Sequence, residues 1–283
     1  MSTKTTDREV GLVDHVRRGE ATSGYSPILT SRNAPLSSLA VGRLRLLAKD
    51  GVYESETGAL EVLLHILVGQ CTVEARGPWG RARMPALGER LDVFAGLPTT
   101  LVLGPNTSYA VTPTSRSLDI AVASVPIADD RLRSPAVIRP QDVIVHQIGE
   151  AHCLRTVREV LGGEGPAVRL RAGETINPIG LWSSWPHHEF DANPELAPKF
   201  EEVFLYFTKP KSGWGIQRRD GLYSTLQPVD DVVIVRNGDA AVLPLGEHPI
   251  VAGVDTSILY VWFYISPIPK TYARWAEDLG GYA

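Results

Sequence analysis

Three of the chain's seven histidines stand where they could act together. His187 and His188 are adjacent within Trp182-Ser183-Ser184-Trp185-Pro186-His187-His188-Glu189-Phe190-Asp191, and His248 lies in the turn Gly246-Glu247-His248-Pro249. Glu202 falls between them in the chain. Two imidazoles and a carboxylate brought from separate strands are a ligand set for a divalent metal. Other polar candidates surround them. Tyr206 follows Glu202 by four positions, so on a strand it shares its face, as acid or base or as pocket lining. Gln217 and Arg218 sit on an expected strand, able to hydrogen-bond a substrate carboxylate or hydroxyl, or to form a surface pair. His65 stands among Leu63, Leu64, Ile66 and Leu67 and reads as a core histidine rather than a ligand. His15, His146 and His152 have no companions.

These residues need a scaffold. From residue 40 onward, short apolar runs alternate with Gly- and Pro-containing turns, for example Leu60-Glu61-Val62-Leu63-Leu64-His65-Ile66 and Thr100-Leu101-Val102-Leu103-Gly104-Pro105. That rhythm predicts an all-β sandwich or barrel. It recurs, weakly, in the second half. Val168-Arg169-Leu170-Arg171 echoes Leu44-Arg45-Leu46-Leu47, Glu202-Val203-Phe204-Leu205 takes the place of Glu61-Val62-Leu63-Leu64, and the block from Val232 to Pro244 echoes that from Leu91 to Pro105. Two domains follow, with a linker near residues 126–140. Helix is expected only at residues 7–18 and 271–279, while 151–161 reads as strand, lacking a full apolar face.

A formal net charge of −4 and the absence of a Lys/Arg run argue against nucleic-acid binding. The polar start of the chain and the lack of a long apolar stretch argue against a secretory leader or a membrane span. Cys71 and Cys153, in no CxxC spacing, read as reduced thiols, which fits a cytoplasmic protein.

The turn Gly238-Asp239-Ala240-Ala241-Val242-Leu243-Pro244-Leu245-Gly246-Glu247-His248-Pro249 resembles the metal-site turn of cupins. Two such units, with Trp182-Ser183-Ser184-Trp185-Pro186 before the histidines, resemble the bicupin isomerases of the 5-deoxy-glucuronate and 5-keto-4-deoxyuronate isomerase type. Glu56-Thr57-Gly58, the stretch Gly88 to Pro98, Glu201-Glu202-Val203-Phe204 and Gln217-Arg218 extend the likeness. The resemblance implies two tandem cupin domains, each a double-stranded β-helix or jelly roll. The boundaries expected are an extension at 1–35, a structural cupin at 36–126, a linker at 127–140 and a site-bearing cupin at 141–283.

By resemblance, the metal ligands are His188, Glu202 and His248, and a fourth ligand position falls on Phe190. On a strand, residues 188 and 190 share a face and 187 and 189 the other, so His187 cannot replace residue 190 without a bulge or register slip. The remaining set suits Zn, Mn or Fe, and a metal-free remnant held by hydrogen bonds is the competing reading. The implied activity is aldose–ketose isomerisation of a sugar acid such as 5-deoxy-glucuronate. Glu202, Tyr206 and His187 are the candidate catalytic residues, with Glu189 a further candidate base; Gln217, Arg218, Phe190 and Trp185 would contact substrate. Because of Phe190, a diverged cyclase, lyase, dehydratase or Fe(II) oxygenase stays open, with an aromatic pocket of Trp185, Phe190, Phe204, Trp214 and Trp262. So does a non-catalytic cupin that binds a small molecule. The run Ile258 to Ile265 suits either a core strand or a homo-oligomer contact.

Overall fold

The computed structural model describes residues 13–16, 23–128, 133–162, 165–185 and 193–266. Among these the only helical elements are short 3-10 turns. The first half contributes β1 (His15–Val16), β2 (Gly24–Leu29), β3 (Ala40–Leu47), β4 (Tyr53–Glu56), β5 (Leu60–Val68), β6 (Cys71–Gly77), β7 (Gly80–Leu87), β8 (Thr99–Leu103), β9 (Ser108–Pro113) and β10 (Ser117–Pro126). The second contributes β11 (Ala136–Ile138), β12 (Ile144–Ile148), β13 (Arg155–Leu161), β14 (Leu170–Asn177), β15 (Trp182–Ser183) and β16 (Glu201–Lys209). It continues with β17 (Trp214–Leu222), β18 (Pro228–Arg236), β19 (Ala240–Leu243), β20 (Leu245–Glu247), β21 (Ile250–Ala252) and β22 (Ser257–Ile265).

Each half is a jelly roll of one large and one small sheet. The orders β11-β8-β5-β10-β3-β2 and β4-β9-β6-β7 make the first, and β1-β19-β16-β22-β14-β13-β12 and β15-β21-β17-β18 the second. The all-β architecture expected is the one observed. Side-chain alternation on the two central strands explains the packing. On β5, Leu64 and Ile66 enter the core of the first roll, while Leu63 and Leu67 enter a core shared by the two large sheets. On β16, Phe204 and Tyr206 fill the second roll, while Val203, Leu205 and Phe207 join the shared core. Burial on both faces is why these strands read as unbroken apolar runs.

The two halves hold each other by a reciprocal contact. The buried Glu61 carboxylate accepts hydrogen bonds from the backbone N–H groups of Val168, Arg169 and Leu170, at the entry to β14. Glu201 accepts from Ser37, Ser38 and Leu39, at the entry to β3. This pairs Glu61 with Glu201, not with Glu202 as the sequence repeat suggested. The shift is one residue, and one residue exchanges strand faces. Glu202 therefore corresponds to Val62, and the first roll has an apolar residue where the second has its buried carboxylate.

Strand pairing also crosses the boundaries drawn from sequence. The expected extension, 1–35, supplies β2 to the first roll, and β1 pairs with β19 of the second, His15 facing Ala241. The expected linker, 127–140, supplies β11, which pairs with β8. Of the helix expected at 7–18 only residues 13–16 are described, and there the expectation is corrected. Residues 15–16 take an extended form because the β19 edge offers ladder partners, while Asp14 accepts a hydrogen bond from the Tyr223 hydroxyl and His15 meets Asp239 at 3.2 Å. Residues 151–153 form a 3-10 turn before β13, and the helix expected at 271–279 lies outside the described residues.

Candidate functional site

Glu202, on β16, points into the second roll, and His248 enters it from the turn between β20 and β21; both are buried. His248 Nδ1 lies 3.0 Å from the Gly246 carbonyl oxygen. A carbonyl only accepts, so the proton belongs on Nδ1 and Nε2 is the nitrogen turned toward Glu202. Nε2 and Glu202 Oε2 face each other at 3.6 Å. That separation is too long for a hydrogen bond. It suits two donors on a shared cation, since ligands held ~2.0–2.2 Å from one ion stand roughly 3–3.6 Å apart. A ligating imidazole whose other nitrogen is fixed by a carbonyl is the arrangement metal sites use. Among the described residues no group of three metal-binding side chains assembles.

Beneath the pair is an aromatic floor. Phe204 and His248 meet edge to face, at 6.0 Å between ring centroids and 83° between planes, and Phe204 stacks on Tyr260 at 4.4 Å. Tyr260 Oη is hydrogen-bonded to the hydroxyls of Ser183 and Ser184. The Tyr206 hydroxyl donates to Gln217 Oε1 at 3.0 Å. Burial pushes the Tyr206 phenol well above its usual pKa, so it stays protonated.

The expected residues fare differently. Residues 186–192 lie outside the described residues, so the alternation argued for His187, His188, Glu189 and Phe190 lies outside them too. Glu202, Tyr206, Gln217 and His248 meet inside the second roll. Arg218 does not. On β17 the buried positions are 215, 217 and 219, so Arg218 turns to the other face and pairs with Asp220 and Asp230 at 3.0 and 2.6 Å. Of the two roles expected for it, this placement by strand alternation matches the surface pair. The residues of the expected aromatic pocket differ in burial. Phe204 and Trp262 are buried in the roll, but Trp185 and Trp214 are 39% and 37% exposed.

His65 has more partners than its apolar neighbours suggested. It meets Thr100 Oγ1 at 2.8 Å and, across the shared core, Glu174 Oε1 at 3.0 Å. Arg90 and Arg158 also hydrogen-bond Glu174. Burial lowers the His65 pKa and so favours the neutral ring. Burial alone would raise that of Glu174, but Arg90 and His65 outweigh it and hold the carboxyl well below the usual range. Arg90 belongs to the Gly88–Pro98 motif, the one sequence signal that could have pointed here.

The profile of the KduI/IolB family matches residues 16–280. The 5-deoxy-glucuronate isomerase of Geobacillus thermodenitrificans is 29% identical over 231 residues, 81% of this chain and 79% of that protein. That of Shouchella clausii is 28% identical over 248 residues, 87% and 86% of the two chains. Among solved structures, an IolB-like protein from Salmonella typhimurium superposes with a TM-score of 0.76 at 24% identity, over 92% of this chain and 96% of that one. Oxalate decarboxylase from Lactobacillus farciminis superposes with a TM-score of 0.63 at 11% identity, over 92% and 87%, a likeness of fold.

Proposed function

Because the chain belongs to the KduI/IolB family, we propose that it is an aldose–ketose isomerase of sugar acids, with 5-deoxy-glucuronate, named for its relatives, as the substrate. The carrying observation is the buried facing pair of His248 Nε2 and Glu202 Oε2, 3.6 Å apart, with the imidazole oriented by the Gly246 carbonyl. Glu202, His248 and, by family resemblance, His188 would hold a divalent ion (Zn, Mn or Fe), which when bound supplies a Lewis acid for a carbonyl oxygen.

The reaction moves one proton between adjacent carbons through an enediol, so it needs a base within reach of the proton alpha to the carbonyl. Tyr206 is poorly suited. Its proton is committed to Gln217, and its raised pKa keeps it from accepting another. His187 and Glu189 remain the proposed bases. The buried rings of Phe204, Tyr206 and Tyr260 pack in the core of the second roll beside the pair, where they would keep water from an enediol. The same aromatic floor, with Phe190 where family resemblance expects a ligand, favours the second reading: a diverged enzyme acting on a more apolar substrate.

The test is isomerisation of 5-deoxy-glucuronate by the purified chain, with metal analysis, before and after chelation. Activity that depends on a stoichiometric metal and falls at least 100-fold in Glu202→Gln and His248→Ala supports the proposal. Full activity in both variants, or none on any uronate in the wild type, overturns it.

A further inference from the structure

We propose that Gln217 is a positioning residue for His248, with the Tyr206 hydroxyl setting the direction of its amide; the proposal rests on the reading of His248 as a metal ligand. Gln217 is fully buried on β17, beside the His248 turn. Its Nε2 lies 2.6 Å from the His248 carbonyl oxygen, 3.0 Å from that of Arg218 and 3.2 Å from that of Pro249. Carbonyl oxygens cannot donate, so the amide nitrogen must face them. Oε1 then faces Tyr206 and accepts its proton. The orientation is therefore settled by chemistry at both ends, and both N–H groups of Gln217 are used inside the fold. This leaves no donor for a substrate, which argues against the direct substrate contact expected from sequence.

The consequence falls on the imidazole. The His248 ring is tied through Nδ1 to the Gly246 carbonyl, and its own carbonyl is tied to Gln217. Ring and main chain are held at separate points, which fixes the direction of Nε2. The turn has little freedom to compensate. Gly246 has φ +136°, and a Cβ there would stand 2.3 Å from the Asp220 carbonyl oxygen. Outer hydrogen bonds of this kind change metal affinity by about 10- to 100-fold when removed.

The experiment compares the full chain with Gln217→Glu, Gln217→Ala, Tyr206→Phe and, as a control, Arg218→Gln on the opposite face. Mn(II) affinity is measured by EPR titration, the His248 ring tautomer by 15N NMR of the metal-free chain, and kcat and KM on 5-deoxy-glucuronate. Gln217→Ala offers no donor to the three carbonyls and Gln217→Glu offers none as a carboxylate and at most one when protonated, so Mn(II) affinity is expected to fall about 10- to 100-fold, most in Gln217→Ala, with kcat falling more than KM rises. Tyr206→Phe removes only the orienting proton and gives a smaller loss in the same direction; should either 217 variant fail to fold, Tyr206→Phe decides. Arg218→Gln leaves affinity unchanged. Wild-type affinity in the 217 variants, or in Tyr206→Phe where those do not fold, overturns the proposal. If the wild type binds no Mn(II), the metal reading fails separately and the tautomer still decides. A Nδ1–H ring in the wild type that becomes mixed in Gln217→Ala supports positioning, and an unchanged ring sinks it.

Discussion

Glu174→Gln tests the buried charge cluster between the two rolls. The Glu174 carboxylate is fully buried; Oε1 meets His65 and Arg90 at 3.0 and 2.5 Å, and Oε2 meets Arg90 and Arg158 at 3.0 and 2.9 Å. Glutamine has nearly the same volume but keeps one oxygen, turns an N–H pair toward a guanidinium, and removes the only negative charge in the cluster. Arg90 and Arg158 would then rely on the backbone carbonyls of Ile66, Leu67 and Val93. Removing one partner from a buried ion pair costs about 3–5 kcal/mol. At roughly 2–4 °C per kcal/mol, Tm should fall on the order of 10 °C.

The cluster also gives stability a pH dependence of known sign. The folded pKa of Glu174 is depressed below its unfolded value near 4.5, so its contribution is complete above that pH and is lost as pH falls toward the folded value. His65 is depressed below its unfolded value near 6.5, so protonating the unfolded chain already erodes stability from about pH 6.5 downward. Both act in the same direction. Urea unfolding of wild type and Glu174→Gln at pH 7.5, 6, 5 and 4 measures the effect, the step from 7.5 to 5 reporting His65 and the step from 5 to 4 the onset of the Glu174 loss. A loss within about 0.5 kcal/mol at pH 7.5, the range of ordinary surface substitutions, would refute the view that Glu174 neutralises the two arginines.

Glu201→Gln should destabilise the chain by about 1.5–3 kcal/mol, the worth of hydrogen bonds to a charged group, because Ser37, Ser38 and Leu39 lose their carboxylate acceptor; thermal unfolding with Glu61→Gln in parallel should show losses of similar size. Cys71 is buried with its thiol pushed up to about 12 by desolvation, whereas Cys153 is partly accessible. Iodoacetamide at pH 8 should therefore modify Cys153 in the native protein and reach Cys71 only on unfolding, as mass spectrometry of peptides would report.

Much of the scaffold was legible because a strand's apolar pattern is local. The runs from Leu60 to Val68 and from Glu201 to Lys209 announce strands buried on both faces, and alternation alone puts Glu202 and Tyr206 together. The turn ending in His248 carries its own Gly and Pro punctuation. Register was less legible. The repeat aligned Glu202 with Glu61, and only the reciprocal contacts to Leu170 and Leu39 show that Glu201 is the counterpart. Neighbouring residues of one strand also proved unlike in role. Gln217 and Arg218 looked equivalent in sequence, yet one holds the His248 turn and the other pairs with acids on the outer face.

The amino-acid sequence by itself determined the all-β class and a weak repeat, since these follow from residue type and short-range periodicity, while family resemblance singled out Glu202 and His248. Tertiary structure decided which residues meet across long separations: His65 with Glu174, Glu61 with the β14 entry, residues 15–16 with β19, and Gln217 with the His248 carbonyl. Those pairings depend on how distant strands close over shared cores and on which buried polar groups then find partners, a choice that no local window of sequence contains.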